Sequence, residues 1–334
     1  MFSRKVQNIS ESPIRKFAPL SQCAEKEGKV VIPLNIGQPD IKTPKGYFEA
    51  IAAVDPDTVV AYTSSYGIDE LRDAFSGYFH SQGLDMNRDD ILITNGGSEG
   101  LTFTFTCLCD PDDEVIVCEP YYSNYNTLAS IAGTKLVAVT TGPERDFRYP
   151  SYEEICSKVT DRTRAILVTN PNNPTGLVLN RSEIETIVKA ALDNDLFIIS
   201  DEVYREFIYD GADYISFTEY PQINDRLIII DSVSKRFSGC GMRIGCVASK
   251  NSEFIAECLK LCQSRLCVPL MEQLGAAALF NTDQSYITES VEAYRKRRDV
   301  CFEVLKGAKW AKDLKVPQGA FYFIIPLPVE DADK

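Results

Sequence analysis

Histidine is nearly missing from this chain: His80 is the only one among 334 residues. A metal site built on a histidine pair is thereby excluded, and a Ser-His-Asp triad is disfavoured. No apolar run approaches the roughly 20 residues that a membrane span needs. Residues 1–8 lack the apolar stretch of a signal peptide. Both absences give the expectation of a cytoplasmic protein with no membrane partner. Cys-x-x-Cys is absent as well, although there are eleven cysteines. Most of them, such as Cys107, Cys109 and Cys118, sit among apolar neighbours and read as reduced core residues rather than metal ligands or disulfides. The Gly-x-Gly-x-x-Gly fingerprint of dinucleotide binding is missing too. Positive charge is in deficit, with a formal net charge of −13. That balance argues against nucleic acid or an anionic membrane as partner. An anionic ligand would need a local cluster of cations.

What is present reads as an ordinary globular composition, 44% hydrophobic and 25% charged. The length exceeds the usual single-core limit of about 250–300 residues, so a large and a small domain are expected. Apolar strands are predicted at 91–94, 114–118, 135–139, 165–169, 197–200, 227–231 and 245–249. Helical segments such as 68–80, 99–109 and 181–194 lie between most of them. These apolar runs do not alternate, which is what a sheet covered on both faces requires. The expected fold class is α/β, with a seven-stranded, mostly parallel sheet between helices and a smaller α+β domain. Residues 1–45 form an amino-terminal segment with one short helix near 20–27, 46–284 the large domain, and 285–334 the start of the small one. A helix at 286–306 and a β segment at 319–325 belong to that last part.

In an open parallel sheet, ligands bind outside the carboxyl ends of the strands. Strand 91–94 runs into Asn95-Gly96-Gly97-Ser98-Glu99-Gly100, glycines opening a helix, where free N–H groups favour a phosphate. A plain turn and helix cap explains the same residues. Strand 165–169 runs into Asn170-Pro171-Asn172-Asn173-Pro174-Thr175-Gly176, a rigid loop by its prolines and turn formers. Strand 197–200 ends at Asp201-Glu202-Val203-Tyr204, an acid at the tip that a helix cap also accounts for. Strand 227–231 delivers Ser232-Val233-Ser234-Lys235, and Arg243 follows eight residues on. Lys235 alone is equally well a solvated loop lysine. Together these loops place a phosphate cradle, an acid, a tyrosine, an asparagine, a lysine and an arginine on one sheet edge. Pyridoxal 5'-phosphate needs such a set: a lysine for its aldehyde, a carboxylate for its ring nitrogen and a site for its phosphate dianion.

In order and spacing, these four motifs resemble those of the fold-type I, class I/II pyridoxal-phosphate aminotransferases, of the bacterial aspartate aminotransferase kind. The likeness runs from about Ser12 to the chain end. It implies that Lys235 is the Schiff-base lysine and proton shuttle, and that Asp201 keeps the pyridine nitrogen protonated. It implies that Tyr204 and Asn173 hydrogen-bond the phenolate oxygen, with Asn173 also near the substrate's α-carboxylate. Phosphate contacts fall to Gly97, Ser98, Ser232 and Arg243, and ring stacking to Tyr122. Tyr121 and Tyr125 read as packing. Tyr62 matches a tyrosine that reaches the phosphate of a partner subunit, so a homodimer with shared sites is expected. Gly37 matches the backbone beside the substrate carboxylate. No metal is implied.

The resemblance breaks near Lys334, because the family's α-carboxylate arginine is expected further on. A truncated chain is therefore the expectation, active or only cofactor-binding. Arg15, in Ser12-Pro13-Ile14-Arg15, fits a distal carboxylate and favours aspartate and glutamate with their 2-oxo acids; a solvated surface arginine is the plainer alternative. Aminotransferases for alanine or aromatic amino acids, a β-lyase, and a non-catalytic regulatory module stand as rivals.

Overall fold

The computed structural model describes residues 2–7, 9, 11, 12, 14–309, 311, 314–325, 327 and 329. Pro13 and Lys334, singled out in the sequence, lie outside them. The chain opens with helices α1 (Arg4–Gln7), α2 (Ala18–Lys26), α3 (Lys45–Ala52) and α4 (Asp69–Ser81). Then follow β1 (Ile91–Thr94), α5 (Gly96–Leu108), β2 (Glu114–Glu119), α6 (Asn124–Ala132), β3 (Lys135–Thr140) and α7 (Tyr152–Cys156). The centre of the sheet comes next: β4 (Thr163–Thr169), α8 (Arg181–Asp193), β5 (Phe197–Asp201), β6 (Leu227–Ser232) and the single turn α9 (Val233–Arg236). The series closes with β7 (Gly245–Ala248), α10 (Ser252–Arg265), α11 (Leu270–Leu279) and α12 (Gln284–Leu305).

The seven strands among the described residues join one sheet in the order β1-β7-β6-β5-β4-β2-β3. Only β7 runs against the rest, pairing antiparallel with β6 and β1. The carboxyl ends of β1, β2, β4, β5 and β6 therefore share an edge, and β7 starts there. The apolar runs divide between two cores. In β6, Ile229 belongs to the core that holds Phe75, Phe79 and Ile184, while Ile228 and Ile230 belong to the one that holds Leu101, Phe105 and Cys258. Burial on both faces removes the alternation a half-exposed strand would show. Capping boxes set the helix starts where side chains permit: Asn180 with Glu183 at α8, Ser151 with Glu154 at α7.

One sequence expectation fails. The β segment at 319–325 is not a strand; it makes an isolated bridge between Ile208 and Gly319. Its donors are spent elsewhere: Gln318 and Gly319 N–H both go to the Gly176 carbonyl, at 3.0 and 2.8 Å, and Ala320 N–H goes to Phe207 at 2.9 Å. Ala320, at φ 54°, then breaks the extended run. Phe321 and Tyr322 of this segment instead join a small third core with Tyr204, Phe207, Tyr209 and Tyr294.

Candidate active site

Lys235 sits on α9, directly beyond the carboxyl end of β6. Asp231 pins this turn at both ends. One of its oxygens accepts the Ser232 N–H at 2.7 Å, and the other accepts Arg236 at 2.7 Å and faces Arg205 at 3.5 Å. Arg205 in turn pairs with Glu202, which also accepts Ser200 and Tyr214 hydroxyls at 2.8 and 2.7 Å. Glu202, Arg205, Asp231 and Arg236 are all buried. Charges taken out of water are tolerable only when paired in this way, and losing one partner typically costs about 3–5 kcal/mol. No local pattern marks this ladder, because its two halves lie 26 residues apart and meet only where β5 and β6 lie side by side.

The Lys235 amine donates to the Gly37 carbonyl at 2.8 Å and lies 3.8 Å from the Cys240 sulfur. Burial pushes its pKa below the ordinary lysine value; the charges of Cys240 and Asp201 oppose that, and Arg243 adds to it. A lowered pKa favours the neutral amine that imine chemistry and proton transfer both need.

Asp201 ends β5, only 5% exposed. Desolvation raises its pKa to about 6, while hydrogen bonds from Tyr125 and the Val203 N–H and the nearby Lys235 charge work in the other direction. Tyr125 donates to it at 2.5 Å and lies 2.7 Å from the Thr169 hydroxyl. Its role extends beyond the packing expected of it. Its α6 position gave no local signal, since Tyr121, Tyr122 and Tyr125 are chemically alike. Tyr122 packs edge-on to Tyr125 with ring centroids 5.4 Å apart. Arg15, which is exposed, lowers the Tyr122 hydroxyl electrostatically against the dominant effect of burial. Asn35 holds this arm by donating to the Ile14 carbonyl at 2.7 Å.

The cradle forms where β1 turns into α5. Gly96 takes φ 73°, open to glycine, and a side chain there would run into the Arg243 guanidinium. Gly245 is equally confined: a Cβ would stand 2.7 Å from the Asp231 carbonyl oxygen and 2.8 Å from the Gly97 nitrogen. Helix α5 has no side-chain cap, so Gly97 and Ser98 offer first-turn N–H groups to an anion. Arg243 lies over the same point, bonded to the Cys240 and Asn95 carbonyls at 3.0 and 3.3 Å. Ser232 is less open. Its hydroxyl caps α9 through the Ser234 N–H at 3.0 Å and meets the Ile244 carbonyl at 3.0 Å.

In the asparagine loop, Asn170 and Asn172 serve the backbone, Asn170 binding Ile215 and Leu179 and Asn172 binding Thr175. Asn173 is left half-buried beside them. Tyr204 is 3% exposed, and its hydroxyl meets that of Tyr322. Tyr322, which no motif of the sequence marks as functional, fills the space above Gly37, where any side chain would overlap its hydroxyl. Tyr62 stands apart from this group, 79% exposed. Among the described residues no cluster of His, Cys, Asp or Glu is placed to hold a metal ion, and no helix is long and apolar enough to cross a membrane.

Comparison with known proteins gives a consistent answer. The family model described as aminotransferase class I and II matches residues 29–334. The aspartate aminotransferase of Thermotoga maritima is 33% identical over 339 residues, covering 99% of this chain and 86% of its own. A (5-formylfuran-3-yl)methyl phosphate transaminase of Methanocaldococcus jannaschii is also 33% identical, over 96% of this chain and 83% of its own. The solved structure of the Thermotoga maritima aspartate aminotransferase superposes with a TM-score of 0.90 at 30% identity, covering 99% of this chain and 86% of that one.

Proposed function

The chain belongs to the class I and II aminotransferases, and from that membership we propose that it binds pyridoxal 5'-phosphate on Lys235 and transfers the amino group of aspartate to a 2-oxo acid. The family depends on this cofactor, and the residues on the sheet edge fit it. An uncapped helix start, two confined glycines and Arg243 suit a phosphate dianion. Asp201 is a buried carboxylate that forms no ion pair among the described residues, and a protonated ring nitrogen would supply the missing cation. When bound, the cofactor supplies the aldehyde that takes up the amino group and a ring that accepts the electron pair released at the substrate's Cα.

The protein's own groups divide the remaining work. Lys235, kept toward its neutral form by burial, attacks as a nucleophile and later carries the proton to and from Cα. Asp201 holds charge against the ring nitrogen, oriented by Tyr125. Tyr204 and Asn173 serve the phenolate oxygen, and Tyr122 covers the ring. Gly97, Ser98, Ser232 and Arg243 take the phosphate. Gly37 lies on the substrate side, its carbonyl on the lysine. Arg15 takes a distal carboxylate, which favours aspartate and glutamate; its electrostatic effect on Tyr122 and the relatives named aspartate aminotransferase support this. A second copy completes the site through Tyr62. The free state of all eleven cysteines supports a reducing, cytoplasmic setting.

The observation that carries the proposal is the half-buried Lys235 amine at a strand end, bonded to the Gly37 carbonyl and within electrostatic reach of the buried Asp201. Borohydride reduction of the cofactor-loaded protein, followed by peptide mapping, should place the label on Lys235; label on another lysine, or none, sinks the reading. Adding aspartate, glutamate or alanine to the loaded protein and following its absorbance then ranks the amino donors, with aspartate expected first.

A further inference from the structure

The residues that follow α12 bring a second tyrosine to the site. Gln318, Gly319 and Ala320 are tied to Gly176 and to the 207–209 backbone on both sides, with Tyr209 N–H on the Gln318 carbonyl at 2.9 Å and the Tyr209 hydroxyl on the Ala320 carbonyl at 2.5 Å. These ties fix where Phe321 and Tyr322 go. Phe321 meets the Tyr204 ring edge-on at 5.3 Å, and Tyr322 does so at 5.6 Å. The two hydroxyls are hydrogen-bonded, and either can be the donor. The absence of a side chain at Gly37 leaves room for the Tyr322 hydroxyl beside Lys235's own acceptor.

A phenol has one proton to give and two lone pairs to receive with. Tyr204 finds no acceptor for its proton among the described residues other than Tyr322. We propose that Tyr322 is a positioning residue for Tyr204: it donates to the Tyr204 oxygen and thereby leaves the single Tyr204 proton for the cofactor's phenolate oxygen. This rests on the reading that Tyr204 faces that oxygen. The chain Tyr322 O–H to Tyr204 O–H to phenolate is a relay in which each bond polarises the next, and the terminal bond, to a charged acceptor, is the strong one. Donation to the phenolate draws off negative charge there. The proton that this oxygen shares with the Lys235 nitrogen is then easier to lose.

The test is spectroscopic. The lysine-linked cofactor changes its visible absorbance with pH as that shared proton leaves, and the midpoint is measured for wild type, Tyr204→Phe, Tyr322→Phe and the double variant. Phenylalanine keeps both rings and their edge-on packing, so only the hydroxyls are removed. Tyr204→Phe should raise the midpoint most. Tyr322→Phe should raise it by about half a unit, roughly threefold in the proton equilibrium, and the double variant should match Tyr204→Phe alone. A Tyr322→Phe midpoint equal to wild type overturns the proposal, as does a shift that adds in full to that of Tyr204→Phe. If Tyr204→Phe itself leaves the midpoint unmoved, the assignment of Tyr204 fails and the relay fails with it; borohydride labelling of Lys235 would still stand in that case.

Discussion

Asp201 is the residue on which burial and function conflict most openly. Its carboxyl is raised from 3.8 to about 6, with desolvation as the leading cause. A group raised in the folded state favours folding only while protonated. Its contribution is complete below about pH 4 and is lost as pH rises through about 6. At pH 7.5 the cofactor-free protein therefore holds a charge that opposes folding by something on the order of 2–3 kcal/mol. Asp201→Asn keeps the shape and removes that charge. It should raise the melting temperature of cofactor-free protein at pH 7.5, have much less effect at pH 4, and reduce amino transfer by more than about a hundredfold. Thermal melts at the two pH values, beside a rate assay, check all three. A carboxylate that strains the empty protein and serves the loaded one is the usual relation between stability and a site.

At the scale of elements, the site is made by the contact of strand ends. The β1–α5 turn has its shape because Arg243, entering β7, and Gly245, inside it, press against it from the neighbouring strand. Gly96→Ala meets both a left-handed backbone and the Arg243 guanidinium. The expected result is a loss of cofactor affinity of at least tenfold, with about 1–2 kcal/mol of stability lost to the φ alone. Equilibrium titration with the cofactor, followed by its absorbance, measures the first; denaturant unfolding measures the second. The turn bearing Lys235 depends on its surroundings in the same way. It is only four residues long, too short to persist by helix propensity, and it is held by Asp231 and the two buried arginines.

At the scale of the molecule, a formal net charge of −13 contrasts with Arg15 and Arg243, which both act electrostatically on Tyr122. Such a contrast draws anionic ligands toward those cations. The same scale governs Tyr62. Val30, Ile32 and Leu34 are 90, 74 and 92% exposed, and Val59, Val60 and Tyr62 are likewise on the outside; cover by a second copy would remove such apolar surface from water. If sites are shared, Lys235→Ala and Tyr62→Ala protomers complement one another. Random pairing of equal amounts yields half mixed dimers, each with one intact site, so mixed activity should reach about a quarter of wild type. Activity no greater than the mean of the two single variants would show that Tyr62 acts within its own protomer or not at all.

The order of strands and helices was legible in the sequence, because buried runs such as Ile228-Ile229-Ile230 leave no other placement for a chain of this composition. So was the placement of Lys235, Asp201, Arg243, the Gly96-Gly97-Ser98 turn and the loop bearing Asn173 near one sheet edge, since strand ends of a parallel sheet meet there. What only the tertiary structure decided lies between distant segments. Tyr125 on Asp201, Tyr322 on Tyr204, Gly37 on Lys235 and Asp231 among its arginines are contacts across 76, 118, 198 and 26 residues, the last measured to Arg205. The 319–325 segment, extended by its own preferences, became a bridge and a tyrosine because its hydrogen-bond partners were a loop and not a strand. Local pattern reports which face of an element is apolar; it carries no record of which polar atom will stand opposite once the faces are buried.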